Sequence, residues 1–421
     1  MKRAALVLLA LLVLVVLGGA GGYYLHVKHA SRDVKGSSTV EFIPTETVPV
    51  APKEPDVAWP MYGHDPERLR ASVGPAPSPP FRREWMFRAQ SLIEFPPAIA
   101  YGRLFFANNA GVMFAIGKQN GLKAWSFRSH RCQAASPAVD RHLVFQVFLN
   151  TPPCNRPYSS ALSGELIAFN AGSGTVAWRK LIGPSETSPA VAHGVVYVGD
   201  WSGRVYAFAE RTGKLWWTAQ LHGEVKGGVA VVGHSVYAAD YSSHVYALNA
   251  STGKIRWEAS AQPRFGSAGR FYATPSVAYG RVYVGATDGK VYSFGAASGD
   301  LRWSTSTGGY VYSSTAVWHD RIYAGSYSHN FFCFDAATGR ILWQFHADGA
   351  ISGSPTIIAG RVYFATLAGT TYGLNALTGH QVWSYPDGKY SPVVADKTHL
   401  YLVGYTRVYG LAHKSRVPSK P

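Results

Sequence analysis

GRVYVGATDGKVYSFGAASGDLRW (residues 280–303) is followed 40 residues on by DRIYAGSYSHNFFCFDAATGRILW (320–343), and after another 40 by GRVYFATLAGTTYGLNALTGHQVW (360–383). Each copy opens on an aromatic strand, makes a tight turn, and continues as a second alternating strand such as VYSF. A Thr-Gly or Ser-Gly turn and a strand ending in tryptophan follow. The apolar-polar alternation has the period of two that strands require. Asp288-Gly289 and Thr338-Gly339 supply turn positions that need positive φ. Working outward, the closing tryptophan recurs at Trp85, Trp125, Trp178, Trp217, Trp257, Trp303, Trp343 and Trp383, with spacings of 40, 53, 39, 40, 46, 40 and 40. A period near 40 with several short strands per unit predicts a propeller.

Short segments rich in small residues precede most copies: SPAVA at 188–192, TPSVA at 274–278, SPTII at 354–358. Strands near a ring axis are crowded, so small side chains suit them, while the wedge between splayed blades admits an indole of roughly 150–250 Å². The eight tryptophans therefore read as packing residues. The chain ends complement each other. Trp85 lies in FRREWMF with no inner strands before it, and SPVVA, HLYLVG and RVYGLA follow Trp383 without a tryptophan strand. The expected fold is all-β: an eight-bladed propeller of four-stranded antiparallel blades over residues 81–413, closed by both termini. Closure removes the open sheet edge.

The chain has 421 residues, 47% hydrophobic and 15% charged, a composition neither disordered nor coiled-coil. The net charge of +16 favours anionic partners, yet no run of five basic residues occurs, so solvated turn lysines and arginines account for it. Lys2 and Arg3 precede an apolar run from Ala4 to Leu25. Residues 1–25 are expected to be a transmembrane signal anchor with the propeller on the extracytoplasmic side of the cell membrane. A cleaved signal peptide is the alternative, with Gly18 and Ala20 as small cleavage-site residues. No cysteine follows the run to accept a lipid. Residues 26–58, rich in proline, threonine and valine in their second half, read as a tether; 59–80 as a leader; 414–421 as a basic tail. Of three cysteines, Cys132 and Cys154 flank an irregular insertion and are a possible disulfide in an oxidising compartment; Cys333 in FFCF reads as a buried core residue.

The A-x-T-G-x-x-x-W pattern, as in residues 336–343 and 376–383, resembles the PQQ-like (quinoprotein-type) propeller repeat. The segment WPMYGHDPERLRAS (59–72) is similar to the leader of such propellers. The resemblance covers about residues 59–413 and implies that each tryptophan docks on the neighbouring blade. The family has two broad branches. Quinoprotein alcohol dehydrogenases hold pyrroloquinoline quinone and calcium over the channel, with long loops, an aspartate base and, in many members, adjacent cysteines. A lean-blade branch without cofactor includes the propeller lipoprotein of the bacterial outer-membrane assembly machine. This chain lacks both the adjacent cysteines and a lipid-acceptor cysteine, and it is closer to the lean branch.

Propeller function lives on loops at one face. The longest outer-to-inner loop, 260–273, carries Arg264, Arg270, Phe271 and Tyr272. Sister loops offer Tyr310 and Tyr312; Lys389 and Tyr390; His222, Glu224 and Lys226; and His346 with Asp348. Turns between second and third strands add Asp200, Trp201, Asp240, Tyr241, Tyr327 and His329, and the insertion 151–160 adds Arg156 and Tyr158. Rings beside cations suit a planar or anionic ligand or an extended peptide. The fifteen histidines show no metal-binding spacing, and no catalytic triad, phosphate loop or nucleic-acid module occurs. These residues predict a monomeric, non-catalytic scaffold that binds envelope proteins, without cofactor or nucleic acid. The alternatives are a pyrroloquinoline quinone-dependent oxidoreductase with calcium, or a binder of anionic cell-envelope polymer.

Overall fold

A computed structural model describes residues 2–44, 56–154, 163–265, 269–391 and 393–414, with the side chains of 2–11 excluded. Among them the strands form eight sheets, each contributing one blade of a ring. Blades 1 to 7 occupy residues 98–128, 138–182, 190–220, 230–260, 276–306, 316–346 and 356–385. Blade 8 takes three strands from residues 394–413, and its outer strand is Phe81–Arg88, paired antiparallel with Arg407–His413. The ring is thus sealed by residues from both ends of the chain.

The recurring sequence works as a latch between blades. The indole N–H of each tryptophan from Trp85 to Trp343 donates to the carbonyl seven residues before the tryptophan of the next blade, at 2.8–3.2 Å. In four blades the second-strand tyrosine donates to the same carbonyl: Tyr197 to Ala250, Tyr237 to Ala296, Tyr283 to Ala336 and Tyr323 to Ala376. The glycine three residues further on has positive φ, and a Cβ there would strike the docked ring; at Gly253 it would lie 2.5 Å from Trp217. Thr-Gly is therefore required twice over, by turn geometry and by the neighbour's indole.

The inner strands turn an unpaired edge toward the ring axis, and buried N–H groups need acceptors. The leader supplies them. Val57–Trp59 pairs with Ala98–Ala100. The carbonyls of Pro60, Pro66, Glu67, Leu69 and Arg70 then accept from Val139, Val231, Val277, Val317 and Ile357 of blades 2, 4, 5, 6 and 7 at 2.7–3.0 Å, and Ala71–Ser72 joins blade 7 in parallel. The leader coils around the channel wall and fills it. Arg68 is fully buried, with Nε donating to Val229 O (2.8 Å) and Nη2 to Ser188 O (2.9 Å). Burial, then the adjacent Arg70 charge, pushes Arg68 down to about 9. Arg70 lies 4.6 Å over the Tyr62 ring.

Helix α1 spans Lys2–Ala30. Among the described residues no helix is long and apolar enough to cross a membrane, so the expected span over 1–25 is not shown. The tether expected over 26–58 differs in its first half: α1 continues to Ala30, and residues 31–44 lie on blade 5. Residues 45–55 and tail residues 415–421 lie outside the described residues, and the segment's last residues, Val57 and Ala58, belong to the strand paired with blade 1. Cys132 and Cys154 form a disulfide with Cα atoms 5.6 Å apart, and Cys333 is buried.

The latch predicts a contrast between two left-handed glycines of blade 4. Gly233→Ala meets nothing within 4 Å and is expected to cost about 1 kcal/mol. Gly253→Ala adds the clash with Trp217 and is expected to cost roughly 2–4 kcal/mol, read as the shift in denaturation midpoint.

Candidate functional site

The loops running from each outer strand to the next inner strand converge on one mouth of the channel, and one register position in every repeat lines it. The residue four before the inner strand is Glu94, Ala134, Glu186, Lys226, Tyr272, Tyr312, Ser352 and Tyr390 in blades 1 to 8. All of these except Ala134 line a single recess, floored by Tyr62 of the leader. Two residues nearer the strand lies a hoop of small hydroxyls. Backbone N–H groups of Ser136, Gly228, Thr274 and Ser314 donate to the hydroxyls of Ser188, Thr274, Ser314 and Ser354 in the following blades at 2.8–3.0 Å. This hoop holds the mouth-lining position rigid.

Around the recess, cations alternate with rings. Lys226 Nζ lies 4.1 Å over the ring of Trp201 and 5.3 Å over that of Tyr241, which also takes the Arg270 guanidinium at 4.8 Å. Tyr272 packs edge-on against Tyr312 at 5.3 Å, and Tyr312 contacts Tyr310 and Tyr327. Across the mouth, Lys389 caps Tyr390 and Tyr405. Such pairs are worth ~0.5–2 kcal/mol each, more when desolvated.

Glu186 is the electrostatic centre. Lys226 Nζ lies 3.4 Å from its Oε1, the Trp201 indole donates to Oε1 at 3.0 Å, and the Tyr272 hydroxyl donates to Oε2 at 3.3 Å. Burial raises its pKa despite these donors. Burial and then the Glu186 charge raise Glu94, whose carboxylate accepts from Asn109 at 3.4 Å. Tyr272 is held well above the ordinary phenol value by burial and the Glu186 charge.

Of the expected residues, the structure brings Trp201, Tyr241, Arg270, Tyr272, Tyr310 and Tyr312 into one cluster and sets Lys389 and Tyr390 opposite. Phe271 is a correction: it is fully buried against Tyr292 in the core between blades 4 and 5, because strand-like alternation turns it away from its neighbours Arg270 and Tyr272. Arg264 lies outside the recess, exposed, donating to Asp288 O at 3.0 Å. Asp200 and Asp240 are fully buried turn acids that accept from Tyr206 and Tyr246 at 2.7 and 2.8 Å. Asp348 accepts from Thr366 at 2.7 Å, and His222 pairs with Glu258 at 3.2 Å. Arg156 and Tyr158 lie outside the described residues. Sequence reasoning missed Glu94 and Glu186. The signal was available: both stand at the register position that Lys226, Tyr272, Tyr312 and Tyr390 occupy.

The recess encloses about 60 Å³, against the ~300–1,000 Å³ of small-molecule sites. Among the described residues no group of three His, Cys, Asp or Glu side chains could hold a metal ion.

A ring of tryptophan-latched four-stranded blades with a loop-lined mouth defines a PQQ-like repeat propeller. The family model described as outer membrane protein assembly factor BamB matches residues 201–315 and 306–415, just over half of the chain, and the protein belongs to that family. Outer membrane protein assembly factor BamB of Moranella endobia (strain PCIT) is 25% identical over 235 residues, 51% of this chain and 58% of that protein. The chain thus spans less than two thirds of this curated relative. The BamB crystal structure from Moraxella catarrhalis superposes with a TM-score of 0.65 at 17% identity, covering 79% of this chain and 99% of that one. A europium-containing methanol dehydrogenase superposes at 0.72 with 13% identity, covering 86% and 98%. At these identities the structural likenesses show the fold alone.

The raised Glu94 carboxyl predicts a pH signature. Below the ordinary carboxylate pKa it is protonated in folded and unfolded chains alike and costs nothing. As pH rises through the raised folded value, the unfolded chain ionises more readily and stability is lost. Glu94→Gln is therefore expected to raise Tm at pH 8 by the order of 1 °C, with the difference from wild type closing by pH 4, measured by differential scanning calorimetry.

Proposed function

We propose that this protein is an extracytoplasmic scaffold that binds envelope proteins through the channel mouth and takes part in outer-membrane protein assembly without catalysis. The observation that carries the reading is the mouth itself: a rigid ring of tyrosines, paired cations and two carboxylates over a channel that the leader fills. Such a surface offers stacking and charge-assisted contacts to a polypeptide and leaves little volume for a small molecule. The matched relative is an outer membrane protein assembly factor, which supports the same reading. The narrow recess of about 60 Å³ and the engagement of its buried Glu186 by Lys226, Trp201 and Tyr272 count against a site for pyrroloquinoline quinone with calcium at this mouth.

The disulfide supports an oxidising compartment. Anchoring by α1 belongs to the same proposal. The apolar run from Ala4 to Leu25 has the length of a ~20-residue span, and Leu12, Leu14, Val15, Val16 and Leu17 are 60–72% exposed.

A photo-crosslinking amino acid at Tyr312 in intact cells tests the binding surface. Capture of outer-membrane assembly components is expected, with at least tenfold loss (about 1.4 kcal/mol) on combining Tyr241→Ala, Arg270→Ala and Tyr272→Ala. Undiminished capture by the triple variant overturns the assignment of this face.

A further inference from the structure

Blade 5 departs from its sisters where it touches the N-terminal segment. The loop 260–273 is longer than the repeat needs, and its first half receives the end of α1. Gln262 Nε2 donates to the carbonyls of Ala30 and Arg32, both at 2.9 Å. Tyr24 stacks on Phe265 at 5.2 Å and Tyr23 meets the same ring edge-on at 5.8 Å. Lys290, 7% exposed, donates to Ser31 O at 2.6 Å and pairs with Asp33 at 3.2 Å.

From there residues 31–44 run down the outer edge of the blade to the opposite face. Val34 forms an antiparallel bridge with Ser304 of the outer strand. Glu41 accepts from the backbone of Ala297 and Ser298 at 3.0 Å and pairs with Arg302 at 2.5 Å. Fully buried Arg281 donates to Glu41 O at 2.6 Å and Ser37 O at 3.0 Å. A Cβ on Gly36 would lie 2.8 Å from Trp303. A free tether would leave none of these groups matched.

α1 therefore leaves the ring at the mouth-face rim, and the rest of the strap fixes that exit. Around it the exposed rim is aromatic and basic: Phe265 is 43% exposed, Tyr310 52%, Tyr23 63% and Tyr24 51%, with Lys28 and Arg264 exposed beside them. Aromatic rings and basic side chains at the end of an apolar helix suit the headgroup level of a bilayer. We infer that the blade 4–5 rim rests on the phospholipid surface from which α1 emerges, with the strap holding the mouth toward that membrane. The inference rests on the anchoring reading given above. It has a consequence for partners: a segment reaching the mouth approaches along the membrane surface.

The full chain, reconstituted in phosphatidylethanolamine–phosphatidylglycerol vesicles carrying headgroup-level spin-labelled lipid, tests this. One fluorophore is placed at Phe265→Cys on the rim or at Thr252→Cys on the opposite face. The rim label is expected to be quenched about threefold more strongly or better. Asp33→Ala with Glu41→Ala, which changes no blade residue, is expected to bring the ratio toward one. Equal quenching in the parent chain, or stronger quenching at 252, overturns the orientation while leaving anchoring intact. Failure of the protein to float with the vesicles overturns the anchoring reading and this inference with it.

Discussion

The interaction on which the rest depends is the indole of one blade lying on the turn of the next. It joins three demands in one place: an apolar ring that needs burial, an N–H that needs an acceptor once buried, and a backbone position that tolerates no Cβ. From Trp85 to Trp343 the geometry repeats, although the residue supplying the carbonyl varies from Lys118 to Glu210 to Ala250. Because the acceptor is backbone, the latch is indifferent to that side chain. This explains why the pattern stays recognisable in Thr-Gly and tryptophan while the residue opening it drifts.

The leader solves a second problem of closed rings. Inner strands leave donors facing the axis, where a wide water-filled channel would otherwise satisfy them. Here the carbonyls of five leader residues take that role in turn, and Arg68 ties Tyr62, Ser188 and Val229 together across the centre. Two adjacent, fully buried guanidiniums are costly. Backbone carbonyls and the Tyr62 ring offset part of that cost. The plug also makes the mouth a shallow surface in place of a pore entrance.

Much of the fold was legible in the chain because its signals are periodic. Tryptophan spacing gave the blade count, and the incomplete terminal units gave the closure between Phe81–Arg88 and Arg407–His413. The mouth was legible only in part. Tyr272, Tyr312 and Tyr390 stand out as aromatics in loops, but Glu94 and Glu186 look like ordinary acids until the repeats are aligned on the inner strand. Phe271 misled because the loop backbone alternates like a strand, and composition does not say which face a residue takes. The surplus length of 260–273 was read as ligand-binding. Its first half serves α1 and only its second half serves the mouth, a division that depends on a segment more than 200 residues away and leaves no periodic trace.

The leader also constrains how the ring can be assembled. Residues 56–72 emerge before the blades and end up innermost, so the blades must wrap around them as a coil is wound on a mandrel. The strand Phe81–Arg88 then waits for a partner more than 300 residues downstream. Through most of synthesis the nascent chain carries an unfilled edge and an unclad core. Any factor that shields that edge sets the yield of folded protein more than the strength of any single blade.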